Sequence, residues 1–177
     1  MPNVSIFEDT LMGGHHNSLG NTVAVAEQVN ADRSLLPALI ATYASEDEVV
    51  RLRVSNALKR VAMENPDWIH AEIDSIMNWV EQLKQPSAQW SVGQMLLLIG
   101  SKLSPPERER AIALMKSHIE HSEDWIVLNH TMETLAQWAH DDHDLEEWLV
   151  PHLACFAEDS RKSISKRAHR LLGGFGR

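Results

Sequence analysis

Apolar residues recur along the chain at spacings of three and four, and no stretch alternates between apolar and polar within hairpin turns. The first spacing marks a helix with one buried face; the second would mark a half-buried strand. Abundant Leu and Ala and sparse Tyr, Phe and Thr agree with the helical reading. The chain reads as all-α.

The pattern returns. "VVRLRVSNALKRV" from Val49 aligns with stretches beginning at Ser87, Ile126 and Ser163, at steps of 38, 39 and 37 residues. One column holds Val50, Ala88, Val127 and Ile164, and the next Val54, Val92, Thr131 and Ala168. Leu58, Leu96, Leu135 and Leu172 form a third, and Val61, Ile99, Trp138 and Phe175 a fourth. Columns spaced by four, four and three make one stripe of a helix. A further helix is expected before each copy, beginning near Ser34, Pro66, Pro105 and Asp144. Asn65 before Pro66 reads as an N-cap. Ser104 with Glu107, and Ser45 with Glu48, have capping-box spacing. Pro37 and Pro151 should kink or break a turn in the first and last of these helices.

A two-helix unit of about 40 residues in tandem resembles HEAT repeats. The residues that carry the resemblance are "EDEVVRLRVSNAL", with acids before Val50–Arg51 and a small residue before Leu58, and the two prolines. It covers roughly residues 32–175 and extends to small bacterial HEAT-repeat proteins. It implies an α-solenoid of about four helix pairs, near 32–64, 65–102, 103–140 and 141–177, in one domain spanning 32–177. Residues 1–31 would form a leader and a capping helix, Asn21 to Asn30, because terminal repeats need a cover. The family also implies an acid–arginine ladder between repeats. Arg51 fits it, but Gln89, Leu128 and Ser165 hold the matching positions later.

With 177 residues and 44% hydrophobic content, the chain can bury a full core. Its formal charge of −9 counts against a nucleic-acid-wrapping role. The start lacks a secretory pattern and no apolar run approaches the length of a membrane span. A cytoplasmic protein with no membrane partner is expected. Arg51, Arg53, Lys59 and Arg60 fall off the apolar stripe and read as a solvated flank.

Candidate chemistry is sparse. Ten histidines include His15–His16 in a Gly-rich stretch, His118 and His121 on one helix, and His140 and His143 around two acids. None of these sets approaches a four-ligand structural zinc site. HEAT-like iron hydroxylases use His-Glu pairs, and no histidine here precedes Glu. Nucleophile-elbow, P-loop and dinucleotide signatures are missing. The lone Cys155, between apolar residues, reads as a buried thiol beside His152. No metal, cofactor or catalytic residue is expected.

The positions opposite the stripe are more informative. They are Leu52, Asn56 and Lys59 in the first copy, Trp90, Gln94 and Leu97 in the second, and Asn129, Glu133 and Ala136 in the third. In the fourth they are Lys166, Arg170 and Gly173. The second copy is therefore apolar nearly all round. Such a helix is buried on two sides or covered by something else. The HEAT resemblance places second helices on the concave face. Two readings of Trp90 stand side by side. The N-terminal Val4, Ile6, Phe7, Leu11 and Met12 cover it, or a partner does.

The favoured expectation is a non-catalytic scaffold, monomeric or weakly dimeric. It would hold a protein or peptide on Leu52, Asn56, Trp90, Gln94, Leu97, Asn129 and Glu133. The alternative is a nucleic-acid-associated protein that resembles DNA-alkylation-repair HEAT arrays. It would use a phosphate-binding patch of Arg161, Lys162, Lys166, Arg167 and Arg170, with Arg177 beyond. Otherwise these cations solubilise a terminal helix and suit its C-terminal dipole.

Overall fold

A computed structural model describes residues 6–176. The described residues contain α-helices and short 3-10 turns but no strand, and no helix among them is long and apolar enough to cross a membrane. The chain divides into two compact units, Met1–Lys102 and Leu103–Arg177.

In the first unit, α1 (Glu8–Leu11) and α2 (Thr22–Ala31) lead into a 3-10 turn (Arg33–Leu35) and α3 (Leu36–Ala41). After a second 3-10 turn (Thr42–Ala44) come α4 (Glu48–Glu64), α5 (Pro66–Ala71), α6 (Ile73–Leu83) and α7 (Pro86–Ile99). Helix α4 is the hub: α2, α3, α5 and α7 all pack on it. Helix α2 occupies the span expected for the capping helix. In the second unit, α8 (Pro105–His121), α10 (His143–Ala157) and α11 (Lys162–Gly174) each pack on α9 (Trp125–Ala139).

The four aligned stretches are α4, α7, α9 and α11, and their stripe is the core. Val50, Ala88, Val127 and Ile164 are fully buried, as are Val54, Val92, Thr131 and Ala168. The last copy departs at its end. Leu171 is buried where Leu172 was expected, and Phe175 is half-buried beyond the helix. Phe175 stacks instead on His140, with ring centroids 4.9 Å apart.

The helix boundaries correct several expectations. Helix α4 is capped by Asp47, whose carboxylate accepts the Val49 N–H at 2.8 Å. Ser45 Oγ accepts the Asp47 N–H instead of forming a capping box. Asn65 stands at the N-cap of α5 but makes no capping bond; its Nδ2 donates to Asn30 Oδ1 at 3.0 Å. Ser104 and Glu107 do form the capping box of α8. The single helix expected from Pro66 is two, parted at Glu72. Pro37 lies at the start of α3, where its missing N–H costs no helical bond. Pro151 sits inside an uninterrupted α10.

A polar pin crosses the first unit's core. Tyr43 is fully buried and its hydroxyl meets Ser55 Oγ at 2.9 Å. Burial pushes the phenol up to about 12, partly opposed by hydrogen bonds with Ser55 and Ser91. A buried hydroxyl with a partner avoids the desolvation cost of an orphan.

Candidate functional site

In the first unit the expected partner-binding positions lie on α4 and α7. Leu52, Asn56, Trp90 and Gln94 are half-buried. Leu97 is 37% exposed and its neighbour Leu98 45%, so the end of α7 presents aliphatic surface. Asn56 Nδ2 donates to the Leu52 carbonyl at 3.2 Å. Lys59 Nζ lies 5.5 Å from the Trp90 ring centroid, within cation–π range. Burial, and to a lesser degree the Arg60 charge, hold the Lys59 ammonium below its usual range.

Arg53 overturns the reading of a solvated flank. It is 1% exposed. Its Nη1 donates to the Leu11 carbonyl at 2.5 Å and to the Gly13 carbonyl at 2.6 Å. Its Nη2 and Nε donate to the His15 and Ser18 carbonyls, each at 3.2 Å. A guanidinium offers five donors in a rigid fork, and here four main-chain oxygens between Leu11 and Ser18 accept from it. The glycines make this possible. Gly13, Gly14 and Gly20 have positive φ, and a Cβ on Gly20 would stand 3.0 Å from Arg53 Cζ. Arg51 departs from the expected acid–arginine ladder too, donating to Gln85 Oε1 at 2.6 Å and to the Ser45 carbonyl at 2.7 Å.

That loop bears on the proposed N-terminal cover. Phe7 and Leu11 are buried, whereas Ile6 is 64% and Met12 50% exposed. Val4 lies outside the described residues. The anchor of the segment is Arg53 on α4, joined by the packing of α1 against that helix.

In the second unit, α9 and α11 bound an open depression of about 810 Å³. Asn129 and Glu133 line it from α9, and Lys166, Arg167 and Arg170 from α11. Residues that the sequence placed in two competing sites thus face one another. Glu133 Oε2 accepts both Arg167 Nη1 and Arg170 Nη2. Asn129 is only 5% exposed, and its Oδ1 finds no donor. Trp125, 51% exposed, completes the rim and was absent from the candidates. Its signal was present: the other copies hold Glu48, Pro86 and Lys162 in that column, so an indole there breaks the pattern.

The rest of the basic patch is partly neutralised. Arg161 chelates the Asp159 carboxylate and donates to the Glu123 carbonyl at 2.6 Å. Hydrogen bonds from Arg161 hold Asp159 down to about 2. Lys162 is exposed at the start of α11, and Arg177 lies outside the described residues. No cation occupies the last turn of α11, so the expected match to its C-terminal dipole is not realised.

The histidines do not converge. His118 is buried while His121 is exposed, so they share no surface. Burial drops the His118 imidazole from 6.5 to about 4. His143 pairs with Glu147 at 3.3 Å, and His15 stacks on His16. Among the described residues no cluster of three or more His, Cys, Asp or Glu could hold a metal ion. Cys155 is exposed, not buried: Leu149, Leu153 and Ala157 form the buried edge of α10 and the thiol points off it. His152 is engaged elsewhere, stacked on Trp148 with ring centroids 4.1 Å apart.

No family model matches this chain, and neither curated proteins nor solved structures yield a similar one. The fold defines it as an all-α protein.

Proposed function

We propose that the chain is a non-catalytic scaffold, a HEAT-like α-solenoid of four helix pairs capped by α2, which binds a protein or peptide along its second helices. It would work in the cytoplasm. The observation that carries this reading is the α9–α11 depression. Residues of α9 and α11 meet there around an exposed indole, Trp125, and a buried amide, Asn129. Aromatic anchors beside polar holds are the usual make-up of a protein-binding hot spot. In the first unit Trp90 and Leu97 offer the corresponding apolar positions.

The test is retention of a cellular partner by the immobilised full chain, compared with Trp125→Ala and Trp90→Ala. Loss of the same partner in either variant supports the reading. A partner retained equally by the wild type and both variants, or no partner at all, defeats it.

Nucleic-acid binding by the C-terminal cations is the weaker reading. Arg161, Arg167 and Arg170 already spend donors on Asp159 and Glu133. Phosphate binding would fall steeply with salt, whereas apolar docking would not. Oligonucleotide anisotropy across a salt series separates the two.

A further inference from the structure

Three cations, Lys166, Arg167 and Arg170, share the α9–α11 depression with one acid, Glu133. The excess is positive in a chain of net charge −9. Glu133 binds both arginines through a single oxygen, Oε2, which fixes the two guanidinium groups at the wall. Each guanidinium has five N–H donors, so donors remain on both. Lys166 is exposed and has no ion pair among the described residues. This is a preorganised place for a carboxylate, where a fixed arginine fork adds direction to charge.

Asn129 narrows the ligand further. Its Oδ1 is buried without a donor, and leaving a buried acceptor unmade costs roughly 1–3 kcal/mol. Asn129 lines the depression, so its amide borders the space a ligand would fill. An incoming main-chain N–H would satisfy it. Trp125 supplies a half-exposed ring for an apolar side chain. A peptide carries all three complements: carboxylate, N–H donor and apolar side chain.

We propose that the α9–α11 depression docks an acidic peptide segment, with a Glu or Asp side chain on Lys166 and Arg170, a main-chain N–H on Asn129, and an aromatic or aliphatic residue on Trp125. This deepens, and rests on, the proposed scaffold role.

The test uses the full chain and fluorescence anisotropy with short labelled peptides. One is Glu-rich with a single Phe. A second replaces each Glu by Gln, and a third replaces Phe by Ser. The acidic peptide should bind, and each altered peptide should bind about tenfold more weakly, the scale of losing a charged hydrogen bond or a small apolar contact. Lys166→Glu, at an exposed position that leaves the fold intact, should cost a similar factor. Glu133→Gln keeps an amide oxygen to hold the arginines but removes the competing negative charge, so it should tighten binding several-fold. A purely structural Glu133 would give no such gain. Equal binding of the Glu and Gln peptides, or no effect of Lys166→Glu, overturns the assignment. So does an oligonucleotide that binds more tightly with the same variant sensitivity. If the acidic peptide does not bind but Trp90→Ala still releases a cellular partner, the scaffold role stands and the acidic site falls.

Discussion

Arg53 and Gly20 lie in contact: the guanidinium carbon would stand 3.0 Å from any Cβ added to Gly20. The glycine leaves room for a buried charge, and the charge in return ties the loop through the carbonyls of Leu11, Gly13, His15 and Ser18. Arg53→Ala should cost about 3 kcal/mol, less than the sum of its bonds because the loop carbonyls can turn to water. Arg53→Lys should recover only part, since an ammonium lacks the fork. Gly20→Ala should cost about 1–3 kcal/mol, from its positive φ and from crowding against Arg53. Hydrogen exchange over residues 11–20, read beside thermal melts, checks all three. Removal of residues 1–19 should destabilise the first unit. Unchanged melting of the truncated chain would show that the loop bound to Arg53 does not stabilise it.

The core was legible because periodicity reports it. A stripe at spacings of four, four and three is a geometric consequence of burying one helix face, and the columns through Val50 and Val54 are buried in all four copies. Arg53 was not legible. Its partners are main-chain oxygens of a loop 35 to 42 residues earlier, and carbonyl positions leave no trace in side-chain spacing. Gly13, Gly14 and Gly20 were the available sign that a loop must curl closely around something. The α9–α11 depression was half legible. Asn129 and Lys166 occupy one outward column, and Glu133 and Arg170 another, so their meeting follows from the alignment once α9 and α11 pack together.

His118 should make stability fall with acid in a defined window. Its folded value is about 4 against 6.5 when unfolded, so between these values the unfolded chain binds a proton that the native chain refuses. Protonation therefore favours unfolding. The full stability is present above about pH 6.5 and is lost progressively down to about pH 4, by up to about 3 kcal/mol. Asp159 acts lower: its depressed carboxyl stabilises above its ordinary 3.8, and that contribution fades as pH falls toward about 2. Urea midpoints across the upper window, compared with His118→Leu, isolate the imidazole. A slope that survives the substitution would assign the loss to other groups.

Cys155 should react as a surface thiol. It is exposed on α10, so a colourimetric disulfide reagent should titrate one thiol per native chain without denaturant. Cys155→Ser should abolish the reaction and leave the melting temperature within about 2 °C, because the side chain supports none of the core. Protection until unfolding would place the thiol inside.

Trp90 decides how much of the first unit's face is free for a partner. The ring is half-buried, and Lys59 lies 5.5 Å from its centroid. A fully buried tryptophan cut to alanine loses roughly 3–5 kcal/mol, whereas a half-buried one with a cation–π contact should lose about 1–2 kcal/mol. Trp90→Ala should therefore fold and melt slightly lower. A double-mutant cycle with Lys59→Met should return a coupling of about 0.5–1 kcal/mol, the size of a partly solvated cation–π pair. Partner binding should fall by more, at least about 2 kcal/mol, the threshold of an aromatic hot spot. The two losses have different signatures. A structural tryptophan changes stability far more than affinity, while an anchoring one does the reverse. If Trp90→Ala costs several kcal/mol of stability and binding of the refolded chain is unchanged, the face around Leu52, Asn56, Gln94 and Leu97 is packing surface and not a docking surface.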